Sequence, residues 1–290
     1  MLKIVKADER LAAPAKINIA IFGPSGVGKT TQARTLPPDS TLFIDLEAGT
    51  LAIQDWKGDA LDIRKQSTAM NVHPWELARA LACYIGGPDP SDATGPYSQK
   101  SYEQYGQAFG DPKQMDKYDT VFWDSITVAS RMCFDWCKRQ PEAFSEKTGK
   151  LDTRGAYGLL GQEMKRWLTH IQHTAGKSVI VVGILDANKD DFGRIAYEPQ
   201  IEGASTGKAL PGIFDEVLTL SNLKTDSGQQ YRAFICHQDN QWGYPAKDRS
   251  GCLDLVEPPD LGALIAKIRK GKRNDATLAT AIPTNTQQEI

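Results

Sequence analysis

Nowhere in the 290 residues is there a run approaching the roughly 18 apolar side chains that a membrane-spanning helix needs. The most apolar stretch, residues 179–185, is only strand-sized. The opening residues, MLKIVKADER, interleave charge with short apolar pairs and show no signal-peptide apolar region, so the expectation is a cytoplasmic protein with no membrane partner. Cysteine is scarce and odd in number: Cys83, Cys133, Cys137, Cys236 and Cys252, with no Cys-x-x-Cys spacing. That argues against a disulfide framework and against a four-ligand zinc site, and leaves buried reduced thiols as the expectation. His170 and His173 share a helix face without a third ligand, and no Ser-His-Asp pattern or internal repeat is evident. Excess charge is missing too. The net of −2, from 34 basic and 36 acidic residues, means that any nucleic-acid contact must be local.

What remains is an ordinary globular composition, 40% hydrophobic and 24% charged, in a chain long enough for one large domain with its own core. Apolar runs with strand character fall at residues 17–22, 41–45, 61–63, 120–124, 178–185, 216–220 and 231–237. Helical spacing predicts helices over 73–85, 126–139, 155–175 and 261–269, with Trp56, Trp75, Trp123, Trp136 and Trp167 as packing residues. Strands alternating with helices predict an α/β fold: a mainly parallel central sheet flanked by helices, with an antiparallel extension at one edge. Residues 1–15 read as an N-terminal extension and 16–270 as the core. Residues 86–117, rich in Gly, Pro, Ser, Tyr and Gln, read as an exposed insertion or long loop. The small, polar, aperiodic residues 271–290 read as a disordered tail.

Residues 23–30, GPSGVGKT, match G-x-x-x-x-G-K-[ST] in full, directly after the first strand. The glycines let consecutive backbone N–H groups curl around phosphate oxygens. Gly23, Pro24, Ser25, Gly26, Val27, Gly28, Lys29, Thr30 and Thr31 are therefore the expected nucleotide-binding residues. Lys29 reaches the β- and γ-phosphates, and Thr30 offers a hydroxyl to Mg²⁺. Asp124, ending an apolar strand at the sheet's carboxyl edge, is the expected second metal partner, and Ser125 after it suits a helix cap. Asp45 and Glu47, just after the second strand, both stand as candidates to face the γ-phosphate, with Glu47 favoured as the base that activates water.

The run Phe43-Ile44-Asp45-Leu46-Glu47 resembles the strand of RecA-type recombinases that ends in their catalytic glutamate, and Asp124-Ser125 resembles their metal-binding strand end. Closer still is the phage family of P-loop proteins of the AAA or RecA-like type, some of them recombination or single-strand annealing proteins reduced to the RecA core. Residues 203–220, with Gly207-Lys208, Pro211-Gly212 and Phe214-Asp215-Glu216-Val217, and residues 242–254 look like that family. The resemblance covers about residues 16–270. It implies a RecA-like P-loop NTPase fold and a Mg²⁺-dependent, DNA-stimulated ATPase acting on single-stranded DNA. It also implies a homo-oligomer, a single-strand-binding protein as a further partner, and a phage source acting in the host cytoplasm. One departure stands out: RecA-type proteins end their sensor strand in a glutamine, whereas this one ends Gly183-Ile184-Leu185-Asp186, leaving Asp186 or Asn188 as substitutes.

By position, the family's DNA loops correspond to residues 141–155 and 186–205. Residues 138–166 hold seven basic against four acidic side chains, a locally basic stretch of the kind that backbone phosphates attract. Lys147, Lys150, Arg154, Lys165 and Arg166 are the expected DNA contacts, with Phe144, Tyr157 and Phe192 available to stack on bases. Lys208, Lys247 and Arg249 lie far along the chain from the P-loop, and the resemblance implies that they reach a neighbouring subunit's nucleotide. Two other functions fit the motifs: a nucleotide-gated loader or adaptor for replication proteins, which the missing glutamine favours, and a small-molecule kinase, which Gly28-Lys29-Thr30-Thr31-Gln32 would suit.

Overall fold

The structure, a computed structural model, describes residues 4–12, 15–189 and 195–271. Ten strands form one sheet: β1 Asn18–Gly23, β2 Thr41–Asp45, β3 Asp59–Asp62, β4 Thr120–Asp124, β5 Ser178–Lys189, β6 Ile195–Pro199, β7 Glu216–Lys224, β8 Gln230–Ile235, β9 Lys247–Asp248 and β10 Val256–Glu257. The order is β10-β8-β7-β1-β5-β4-β2-β3, with β6 paired to β5 and β9 to β7. From β7 across to β3 every neighbouring pair is parallel. Strands β8, β10, β9 and β6 pair antiparallel. The sheet is thus the mainly parallel one expected, with its antiparallel edge.

Eight helices accompany it among the described residues: α1 Ala7–Ala12, α2 Ile63–Met70, α3 Pro74–Gly86, α4 Gln99–Phe109, α5 Ile126–Cys137, α6 Thr153–Gln172, α7 Ala204–Ile213 and α8 Leu261–Lys270. A parallel sheet is covered on both faces, so its strands alternate between two apolar cores. In β4, Val121 and Trp123 enter one core with Trp75 and Trp167, while Phe122 enters the other with Phe43 and α8. In β1, Ala20 and Phe22 face the first core, and Ile19 and Ile21 the second. Trp75, Trp123 and Trp167 are fully buried; Trp56 and Trp136 pack at the margins. All five cysteines are buried free thiols. Among the described residues no cluster of three or more His, Cys, Asp or Glu is placed to hold a metal.

One expectation needs correction. Residues 86–117 are not simply a loop. They contain α4, whose Tyr102, Tyr105 and Phe109 pack on the core, preceded by a buried Tyr97 that stacks on His170 at 4.3 Å. The P-loop runs into a six-residue 3₁₀ turn, Thr30–Thr35, which Pro37 and Pro38 stop. Helix α7 falls where the spacing predicts no helix. The expected tail lies outside the described residues from 272 onward, as does Phe192, and the side chain of Lys208 in α7 is likewise not described.

Candidate functional site

Strand register assembles the site at the carboxyl edge of the parallel strands. Asp45 is level with Asp124, Asp124 with Val182, and Gly23 with Ile184. The 23–30 loop rises from β1 and is pinned by Val27, whose side chain is buried in the second core while Pro24, Ser25 and Gly26 stay exposed. Gly26 and Gly28 take positive φ, 75° and 95°, where a side chain would be strained. Gly23 is needed for another reason. A Cβ there would press well inside 3 Å of the Leu220 carbonyl oxygen on β7. The Lys29 ammonium donates to the carbonyls of Gly23 and Pro24, each at 2.9 Å, so its stem folds over the loop. Burial lowers its pKa, against the pull of the Asp124 and Glu47 carboxylates.

The Thr30 hydroxyl donates to Asp124 Oδ2 at 2.6 Å across 94 residues of sequence. Asp124 is buried, and burial pushes its pKa up to about 7. A hydroxyl and a carboxylate in contact are the hard oxygen donors that Mg²⁺ takes, with phosphate and water completing its shell, so these residues fit the ion. Next along, the Ser125 hydroxyl donates to Glu47 Oε1, and the Leu46 N–H donates to the Asp124 carbonyl at 2.6 Å. Glu47 is exposed and stands beside the Thr30–Asp124 pair.

Asp45 does not share that role. Its side chain turns back: Oδ1 accepts from the backbone N–H groups of Glu47 at 2.9 Å, Ala48 at 2.8 Å and Gly49 at 3.3 Å. It is buried, and burial raises its pKa. Asp45 therefore braces the loop that carries Glu47. Asp186 is also displaced. It lies four residues past Val182, roughly 13 Å beyond the level of Asp124 at about 3.3 Å per strand residue. Its Oδ1 accepts from Gln200, which follows β6 where that strand has paired back along β5.

Two of the expected cross-subunit cations, Lys247 and Arg249, sit at the opposite end of the sheet from the loop. β9 pairs Lys247 with Val217, which is level with Ala20 near the start of β1. The Lys247 ammonium donates to the carbonyls of Pro211 and Phe214, closing the end of α7, and Arg249 pairs with Asp215 at 2.8 Å. The basic stretch also divides. Helix α6 ends beside the start of β1, where the Gln172 carbonyl accepts from Lys16 and Asn18. Its 20 residues run back about 30 Å toward the strands' carboxyl ends. Exposed Lys147 and Lys150 lie there, on a loop closed by the Phe144–Leu151 bridge, with exposed Arg154 in the first turn of α6. Lys165 and Arg166 lie about three turns farther down, and Arg166 pairs with Asp92 at 2.9 Å. Sequence reasoning missed three residues: Ser125 as a partner of Glu47, Gln200, and Arg232, whose guanidinium overlies Gly28. Only the Asp-Ser dipeptide carried a local signal for any of them.

Among known proteins, a family model described as an AAA domain matches residues 15–250. The crystal structure of the flagellar accessory protein FlaH from Methanocaldococcus jannaschii is similar over 78% of this chain and 81% of that one. The identity is 11% and the TM-score 0.32, a likeness that carries no argument here. A comparison with curated proteins finds no match. No helix among the described residues is long and apolar enough to cross a membrane. On the family match, the strand order and the complete P-loop, the chain belongs to the AAA domain family and has the RecA-like P-loop NTPase fold.

Proposed function

We propose that the protein is a Mg²⁺-dependent ATPase whose nucleotide state governs a grip on single-stranded DNA, in recombination or annealing. The observation that carries the ATPase reading is the Thr30–Asp124 hydrogen bond at 2.6 Å beside a glutamate held by Ser125. Backbone N–H groups of the 23–30 loop and the Lys29 ammonium bind the phosphates. The six-residue turn after the loop is short, so the charge on Lys29 does more of this work than a helix dipole can. Thr30 and Asp124 would hold Mg²⁺, which when bound neutralises charge that develops on the phosphate oxygens. Glu47 accepts a proton from the water whose oxygen attacks the γ-phosphorus, and ADP leaves with the bond's electrons.

The DNA reading is supported by the grouping of Lys147, Lys150 and Arg154 at the start of α6. Phe144 and Tyr157 are 41% and 43% exposed nearby, with Tyr157 stacked on Phe134 at 4.5 Å. A homo-oligomer, a cytoplasmic setting and a single-strand-binding protein as partner belong to the same reading. ATP hydrolysis measured with and without single-stranded DNA, at two salt concentrations, tests it. The expected result is stimulation by DNA that fades with salt and is lost when Lys147, Lys150 and Arg154 are all replaced by alanine. Hydrolysis indifferent to DNA would refute the DNA part. Tight binding with little turnover would favour a nucleotide-gated loader, the second reading, which the distance of Asp186 from Asp124 supports.

A further inference from the structure

The β7–β8 hairpin stands beside the P-loop as a wall. Thr219 of β7 is level with Phe22 of β1, yet β7 continues to Lys224 and β8 begins at Gln230, so the hairpin overhangs the carboxyl edge. Arg232, opposite Asn222 in this hairpin, is exposed. Its side chain crosses to the loop: a Cβ built on Gly28 would lie 2.5 Å from Nη1 and 3.2 Å from Cζ. Among the described residues no carboxylate or other acceptor pairs with this guanidinium. Other arginines of the chain do find one, Arg34 with Asp55, Arg79 with Glu163 and Arg249 with Asp215. An anion bound in the loop that carries Lys29 would lie within reach of this second cation, and two cations facing one anion attract it more than one does.

We propose that Arg232 binds the phosphate chain of the nucleotide from within the same chain, so that the β7–β8 edge hairpin closes one side of the nucleotide site. Guanidinium suits this because its planar donors match phosphate oxygens in pairs. The inference rests on the nucleotide reading of the 23–30 loop and names a residue that the loop motif does not contain.

The test is the dissociation constant of a non-hydrolysable ATP analogue with Mg²⁺, measured by calorimetry on the full chain for wild type, Arg232→Ala, Arg232→Lys and Lys29→Ala. A charge-assisted contact predicts that Arg232→Ala weakens binding about ten- to a hundredfold, with Arg232→Lys between it and wild type. The thermal midpoint without nucleotide should not move, since the side chain is exposed. Loss of binding in Lys29→Ala with wild-type binding in Arg232→Ala would overturn the role of Arg232 alone. Tighter binding in Arg232→Ala would overturn it as well, and would mark the guanidinium as a competitor for the loop. Wild-type binding in Lys29→Ala would instead sink the nucleotide reading itself.

Discussion

Replacing Asp45 by alanine separates bracing from catalysis. Its Oδ1 holds three backbone N–H groups, two at 2.8–2.9 Å and one at a weaker 3.3 Å. Hydrogen bonds to a charged acceptor are each worth about 1.5–3 kcal/mol net. Glu47 and Ala48 are exposed, so water recovers part of that loss. Asp45→Ala should therefore cost about 2–4 kcal/mol of stability. Asp45→Asn keeps the Oδ1 acceptor and sheds a buried charge, and should stay within about 1 kcal/mol of wild type. Turnover should follow the same order. With its loop unbraced, Glu47 loses its position and kcat should fall at least about tenfold in the alanine variant, while ATP affinity, set by residues 23–30, holds. Urea denaturation and steady-state ATPase assays read both effects. Wild-type kcat and midpoint in Asp45→Ala would refute the bracing role; equal loss in the asparagine variant would show that the charge, not the acceptor geometry, matters.

Two further outcomes are expected. Gly23→Ala forces a Cβ against the Leu220 carbonyl, so β1 and β7 must separate locally; a loss of about 1–3 kcal/mol is expected in urea denaturation, and an unchanged midpoint would contradict the close approach. Glu216 is buried, and burial lifts its pKa to about 8 from an ordinary 4.5. Its folded-state pKa is raised, so its contribution to stability is complete below about pH 4.5 and is lost as pH rises through 8. Urea midpoints at pH 6, 7.5 and 9 should thus fall more steeply for wild type than for Glu216→Gln, by at most a few kcal/mol at about 1.4 kcal/mol per unit. Parallel curves would contradict this.

The sequence was most informative where local pattern and tertiary role coincide. Residues 120–124 alternate between two cores and end in an acid, so strand, burial and the acid's place beside Thr30 are readable there. The loop 23–30 is readable because its glycines answer to backbone geometry. Helix α7, with Gly207, Pro211 and Gly212, hides because its composition imitates a loop. Helix α4 hides behind the glycines and prolines that flank it, although Tyr102, Tyr105 and Phe109 share a face. Asp45 misleads because its own side chain turns back on the chain, ending the strand's alternation before Glu47. Gln200 and Arg232 depend on hairpins that bring distant residues back to the carboxyl edge, and nothing local in sequence specifies that return.

The central claim is that residues 23–30, with Asp124, hold ATP and Mg²⁺. Calorimetric titration of MgATP into wild type and Lys29→Ala tests it most directly. Saturable binding to wild type, weakened in the variant by about tenfold or more through loss of a charged phosphate contact, is the predicted result. Equal affinity in both proteins, or no binding to wild type, would contradict the account.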